Sequence, residues 1–247
     1  NAVTTGESIS VHFPISNVDR SVGASLSGLI AQQYGNKGKA QQRIELNFTG
    51  TAGQSFGAFL TGSLYLTLTG DANDYVGKGM AGGCIIIKPH PGSAFIAHET
   101  TIMGNTCLYG ATGGKLFAAG KAGERFAVRN SGCVSVVEGI ADNGCEYMTG
   151  GVVCILGKTG VNFGAGMTGG FAYIYNREGG LEKRLNKELI ENLSLVDLPI
   201  HQEHLRGLIA EHTFATGSEL GEWILDHWNE ALEYFVLVKP ITSDVHS

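Results

Sequence analysis

The sequence predicts a mainly β protein: a right-handed parallel β-helix of about six to seven coils, with an N-terminal strand and helix and C-terminal helices. Three observations carry this expectation. Glycine supplies 37 of the 247 residues, and 28 of them fall within residues 53–180. Short apolar segments follow Gly62, Gly83, Gly114, Gly132, Gly151 and Gly170, at spacings of 21, 31, 18, 19 and 19 residues. No helical periodicity runs through this region. A repeat of this length marks a solenoid, whose units bury their apolar faces only by stacking on one another. A leucine-rich repeat would demand a fixed Leu pattern and an Asn ladder, both absent.

The elements follow in order along one domain, residues 1–247, with a head over 1–52, repeats over 53–176 and a tail over 177–247. In the head, Ile9, Val11, Phe13 and Ile15 alternate as in a strand, and Pro14 confines that strand to an edge. Asp19 is placed to cap a helix whose Val22, Leu26, Leu29 and Ile30 share one face, with Gly35 and Gly38 ending it. Arg43–Phe48 alternates again and reads as a second strand.

In the repeats, the strands after the glycines are SLYLTLT, CIIIK, KLFAA, CVSVVE, VVCIL and FAYIY. A second row of short segments precedes the turns and reads as further strands: 74–76, 107–109, 125–128, 145–147 and 161–163. The one long interval holds an insert over 88–104 with Pro89 and Pro91. The glycines assigned to structural turns are Gly77, Gly79, Gly82, Gly83, Gly113, Gly114, Gly132, Gly150, Gly151, Gly164, Gly166, Gly169 and Gly170. In the tail, 181–192 and 201–214 read as helices. Ser218 is placed to cap a last helix burying Leu220, Trp223, Ile224, Trp228 and Leu232, before an extended Phe235–Lys239.

Composition narrows the function. Apolar residues make up 43% and charged residues 16%, so a sizeable core forms and bulk disorder is excluded. The net charge of −6 argues against a generic nucleic-acid binder. No apolar run reaches the ~20 residues that span a bilayer, so no membrane partner is expected. The five cysteines form no CxxC pair and are odd in number, so a disulfide framework is a poor fit. With no signal-peptide pattern at the start, the reading is a cytoplasmic protein. Asn1 in place of Met suggests a fragment or a processed chain.

Candidate chemistry is sparse. Gly77–Gly82 and Gly164–Gly169 each match GxGxxG, the pattern of a dinucleotide-binding turn. Both precede strands, so the helix N-terminus that would hold a pyrophosphate is missing and a structural turn is the better account. His201 and His204 share a helix face and could ligate a metal, but no third ligand is spaced for it. Cys84, Cys107, Cys133, Cys145 and Cys154 fall in or beside the repeat strands, as small core hydrophobes do. Asp71-Ala72-Asn73-Asp74 fits neither calcium pattern and reads as a turn. No residue is assigned to catalysis, to a cofactor or to a metal.

Several segments taken together are more specific. Asn17–Gly23, Gly53–Phe59, Gly70–Gly79, Gly123–Gly132 and Gly144–Gly151 resemble, in order, the C-terminal GXGXG domain of the glutamate synthase large subunit. The likeness extends from about residue 17 to about residue 240, tail included. The resemblance implies a right-handed β-helix acting as a non-catalytic scaffold. Its expected partners are a glutamine amidotransferase domain and an FMN-binding synthase domain with an iron–sulfur cluster. No cofactor is expected in this chain. The alternatives are a GXGXG subunit of another multi-subunit oxidoreductase, such as that of formylmethanofuran dehydrogenase, or a free-standing β-helix enzyme. Against the last, acids are sparse in the repeats and the period is not the six residues of the hexapeptide acyltransferases.

Overall fold

A computed structural model describes residues 2–244. A short helix α1 (Ala2–Thr5) precedes β1 (Ile9–Ile15), α2 (Ala24–Tyr34) and β2 (Ile44–Ala52). Then come β3 (Leu64–Ala72), β4 (Ala81–Lys88), β5 (Thr101–Met103), β6 (Gly113–Ala118), β7 (Lys121–Ala122), β8 (Ser131–Val137), β9 (Thr149–Ile155) and β10 (Gly169–Tyr175). The tail forms β11 (Ile190–Ser194), α3 (Pro199–Thr216), α4 (Glu219–Asp226), α5 (Trp228–Leu232) and β12 (Phe235–Pro240).

These strands make one open, mixed, 12-stranded sheet in the order β1-β2-β3-β4-β6-β8-β9-β10-β12-β11, with β5 and β7 off this path. This corrects the expected right-handed parallel β-helix of six to seven coils. Pairing is parallel from β1 to β10, but β12 runs antiparallel to both β10 and β11. Those last pairings join segments far apart in sequence, which a local repeat period does not encode. The second row of expected strands is also absent. Residues 74–76, 107–109, 125–128 and 145–147 are turns rather than strands, and 161–163 contributes only an isolated bridge at Phe163.

The reason is backbone handedness. Every second residue in these turns has positive φ: Tyr75, Gly77 and Gly79; Thr106, Leu108 and Gly110; Arg125, Ala127 and Arg129; Asn143, Cys145 and Tyr147. Such alternation cannot pleat into a strand. It aims successive N–H groups to opposite sides instead. The N–H groups of Tyr75 and Gly79 donate forward to Asn105 O and Tyr109 O at 2.9 and 2.8 Å, whereas that of Gly77 donates back to Phe56 O at 2.9 Å. The next turn repeats this, with Thr106 and Gly110 donating to Glu124 O and Val128 O and Leu108 to Val76 O. The turns thus form a second hydrogen-bonded ladder beside the sheet.

From β6 to β10 the strands are buried on both faces and read as apolar runs, whereas β1 to β3 keep one face partly exposed. One face carries in-register rows such as Phe48, Leu68, Ile87, Ala118, Val137, Ile155 and Ile174. They pack with the inner side chains of the turns, among them Phe56, Val76, Leu108, Phe126 and Phe163, and with Ile30 of α2. The other face carries Ile86, Phe117, Val136, Cys154 and Tyr173, covered by Leu205, Leu208 and Ile209 of α3, Ile224 of α4 and Ala231 of α5.

Three local expectations need correction. The helix read over 181–192 is one 3₁₀ turn, Leu181–Lys183, followed by β11, because this segment pairs with β12. Asp19 does not cap α2; its carboxylate accepts from the Ser16 N–H and hydroxyl at 2.8 and 3.0 Å, and the left-handed Gly23 precedes the helix. Leu29 is 56% exposed while Ile30 is fully buried, so they do not share a buried face. Ser218 does cap α4, accepting from the Gly221 N–H at 2.9 Å, and α3 ends at a left-handed Gly217.

Gly70 in β3 is opposite Gly50 in β2, and a Cβ built on it would lie 1.8 Å from Gly50 O, at φ +146. Gly70→Ala is expected to lower stability by about 3 kcal/mol in urea unfolding, from strained backbone and overpacking together. Gly92 also has positive φ, +82, but nothing lies within 4 Å of its Cβ position. Gly92→Ala is expected to lower stability by only about 1 kcal/mol.

Candidate functional site

The assigned turn glycines divide by geometry. Gly77, Gly79, Gly83, Gly114, Gly151, Gly164, Gly166 and Gly170 have positive φ. At Gly82, Gly113, Gly132, Gly150 and Gly169 the limit is space: a Cβ would lie 2.1–2.7 Å from backbone atoms of the preceding repeat. Gly79 and Gly166 leave room for the rings of Phe59 and Tyr147, which lie 2.8 and 2.5 Å from where a Cβ would sit. The residues after both GxGxxG matches enter strands β4 and β10, and the N–H groups of Gly77, Gly79 and Gly164 are taken by backbone carbonyls.

All five cysteines are buried and free. Burial, with the Glu211 carboxylate nearby, pushes the Cys84 thiol up to about 12, and burial pushes Cys107 to about 12. Burial raises Cys133, Cys145 and Cys154 further still. A thiol held protonated in this way is a poor nucleophile and metal ligand. Native protein is therefore expected to leave all five thiols unmodified by iodoacetamide, with all five reacting in denaturant; rapid labelling of any one in native buffer contradicts this.

His201 and His204 come together on Tyr173. Both Nδ1 atoms face its hydroxyl, at 2.9 and 3.0 Å, and the Phe171 ring packs edge-on against both imidazoles. One hydroxyl hydrogen serves two nitrogens, so one imidazole accepts from Tyr173 and the other donates to it. Burial raises the Tyr173 phenol, and burial followed by the His201 charge lowers His204. Among the described residues no group of three His, Cys, Asp or Glu is arranged for a metal ion. The tetrapeptide at 71–74 does not gather oxygens around one point: Asp71 accepts from Thr51 and Asp74 from the Asn105 N–H, at 2.7 Å each.

Sequence reasoning missed a second buried cluster. Glu138, at the end of β8, accepts at Oε1 from the hydroxyl of Ser218 and from Nε2 of His212, the latter at 3.3 Å. The three residues are 2%, 3% and 0% exposed. Ser, His and an acid are the residue types of a nucleophilic triad, but the order is wrong. In a triad the imidazole sits between hydroxyl and carboxylate. Here the carboxylate is central, and the Ser218 oxygen also accepts from Gly221 N–H as a helix cap. The cluster ties α3 and α4 to the sheet. Ser218 is legible as a cap and His212 shares the apolar helix face of Leu205, Leu208 and Ile209, but nothing local joins either to Glu138, 74 positions from His212.

Beside this cluster lies a cleft of about 550 Å³ between α4, the 3₁₀ turn Ala97–Glu99, the start of β7 and the C-terminal ends of β8 to β10. Its walls include Lys121, Glu138, Leu156, Tyr175, Arg184 and Leu220. Arg184 donates from Nη2 to Gly179 O at 3.0 Å, and Lys158 and Arg177 pair loosely with Glu178 and Glu230. Burial raises the Tyr175 phenol, against the opposing charge of Arg177.

The ladder of turns and the mixed sheet define a class of glycine-repeat domain, and the comparison with known families agrees. The profile of the GXGXG motif family matches residues 1–241, and the chain belongs to that family. It is 52% identical over 240 residues to the ferredoxin-dependent glutamate synthase of Pyropia yezoensis, covering 97% of this chain and 16% of that protein. It is 50% identical over 245 residues to the chloroplastic ferredoxin-dependent glutamate synthase 2 of Arabidopsis thaliana, covering 99% and 15%. It is 50% identical over 230 residues to glutamate synthase [NADH] of Schizosaccharomyces pombe, covering 93% and 11%. The chain thus spans 11–16% of the length of these relatives.

Ser218→Ala is expected to lower stability by about 1–2 kcal/mol through loss of the cap. Glu138→Ala, which strands two buried donors, is expected to lower it by about 3 kcal/mol or more. Chemical denaturation of both variants checks the ranking; equal effects would contradict the central place of the carboxylate.

Proposed function

We propose that this chain is a non-catalytic scaffold domain of a glutamate synthase, the enzyme class that makes glutamate from glutamine and 2-oxoglutarate. One observation carries the reading: about half of its residues are identical to glutamate synthases over 93–99% of its own length. The fold supplies a physical rationale. Two parallel hydrogen-bonded ladders, of strands and of turns, make a stiff body on which an amidotransferase domain and an FMN-binding synthase domain are held in fixed relation. Flavin and an iron–sulfur cluster belong to those domains on this reading, and this chain binds neither. The relatives' names include both ferredoxin and NADH, so the electron donor is set outside this domain. Among the described residues no helix is long and apolar enough to cross a membrane, and five unpaired thiols support a reducing compartment, which we take to be the cytoplasm.

The test uses the full-length polypeptide. Gly70→Ala, which strains this domain alone, is expected to uncouple the reaction, with glutamine hydrolysed faster than glutamate is formed while FMN content is unchanged. A disrupted domain with normal coupling would sink the scaffold reading, as would stoichiometric flavin absorbance on the purified 247-residue chain.

A further inference from the structure

Three buried polar atoms around the α4 cleft make no hydrogen bond of good geometry among the described residues: Glu138 Oε2, Arg184 Nε and Tyr175 Oη, the last lying against the Arg177 guanidinium. Folded proteins leave few such atoms unpaired, because each costs about 1–3 kcal/mol. Three around one cleft of about 550 Å³, a volume in the range of small-molecule sites, point to a missing partner. Lys121 adds a fourth group. It lines the same cleft, and its ammonium makes no ion pair or hydrogen bond among the described residues.

The signs of these groups select the ligand. Lys121 and Arg184 supply cationic donors, and Tyr175 a neutral one. Glu138 supplies a carboxylate oxygen, since Oε1 alone is used by Ser218 and His212. An apolar ligand would leave all four groups unpaired. A phosphate would set its charge against the Glu138 carboxylate, and a metal cation would meet Lys121 and Arg184. A small molecule bearing both charges satisfies these four groups; His98, Glu99, Lys158, Arg177 and Glu178 complete the charged lining, with Lys158 and Arg177 already paired to Glu178 and Glu230.

We propose that this cleft binds a zwitterionic α-amino acid, its carboxylate held by Lys121 Nζ, Arg184 Nε and the Tyr175 hydroxyl and its ammonium by Glu138 Oε2. The site does not rest on the scaffold reading, since every group in it belongs to this chain. Because Glu138 also holds α3 and α4 to the sheet, an occupied cleft stiffens the start of β7 and the ends of β8 to β10.

Hydrogen–deuterium exchange of the full-length polypeptide, read only on peptides spanning 118–124 and 175–186, tests the proposal with L-glutamate, L-glutamine, 2-oxoglutarate and inorganic phosphate as probes. Saturable protection by one of the amino acids is expected, with none from 2-oxoglutarate, which lacks the ammonium, or from phosphate. Lys121→Met removes a charged contact and is expected to weaken the protection about tenfold or more. Tyr175→Phe, a smaller change that deletes only the hydroxyl, is expected to weaken it less. The proposal is overturned by absence of protection at up to about 10 mM amino acid, by equal protection from 2-oxoglutarate or phosphate, or by protection that Lys121→Met leaves intact.

Discussion

The structure depends on the alternation of backbone handedness in the turns. A residue with positive φ between neighbours of the usual hand reverses the direction of its N–H. Three such residues at alternate positions donate forward, back and forward. Each turn is therefore bonded to the turn before it and the turn after it, as a strand is in a sheet. Strands and turns advance together and hold the core between them, with Ile30 of α2 packed into it. Glycine stands at some of these alternating positions, Gly77, Gly79 and Gly110, where a side chain in the left-handed region costs about 1–2 kcal/mol. Other residues hold the same backbone elsewhere in the turns. Leu108, Ala127 and Cys145 occupy the middle slot and are fully buried, so packing offsets their strain.

The second face of the sheet needed a different solution. Its apolar row would be exposed without α3, α4 and α5, which return over it and end in β12. Apolar packing supplies most of the attachment, and polar contacts fix its position. Glu138 joins His212 of α3 to the Ser218 cap of α4, and Tyr173 meets His201 and His204 at the start of α3. The Lys115–Glu211 pair, 2.7 Å but half exposed, adds little by comparison. The buried carboxylate serves the fold, and its second oxygen makes no hydrogen bond among the described residues although Glu138 lines the α4 cleft.

Much of the strand inventory was legible. The runs after Gly62, Gly83, Gly114, Gly132, Gly151 and Gly170 all became strands, because β-branched, apolar and aromatic residues between glycines suit a pleated sheet that is buried on at least one face. The Ser218 cap was legible because it needs only four consecutive residues. The segments at 74–76 and 107–109 were misread because Tyr, Val, Cys and Leu suit a short strand, and nothing in residue type reveals that the backbone hand alternates there. The cleft was not legible at all, since Lys121, Glu138, Tyr175 and Arg184 share no spacing.

By itself the sequence determined the repeat, the strands that follow its glycines and the family to which the chain belongs, because these rest on local residue type and on order along the chain. The tertiary structure alone decided that the sheet is open and mixed, that β12 returns antiparallel between β10 and β11, and that Glu138, His212 and Ser218 meet. The physical reason is common to all three. Long-range pairing is chosen by which buried faces and unpaired hydrogen-bonding groups remain once the repeats have stacked, and no window of neighbouring residues contains that information.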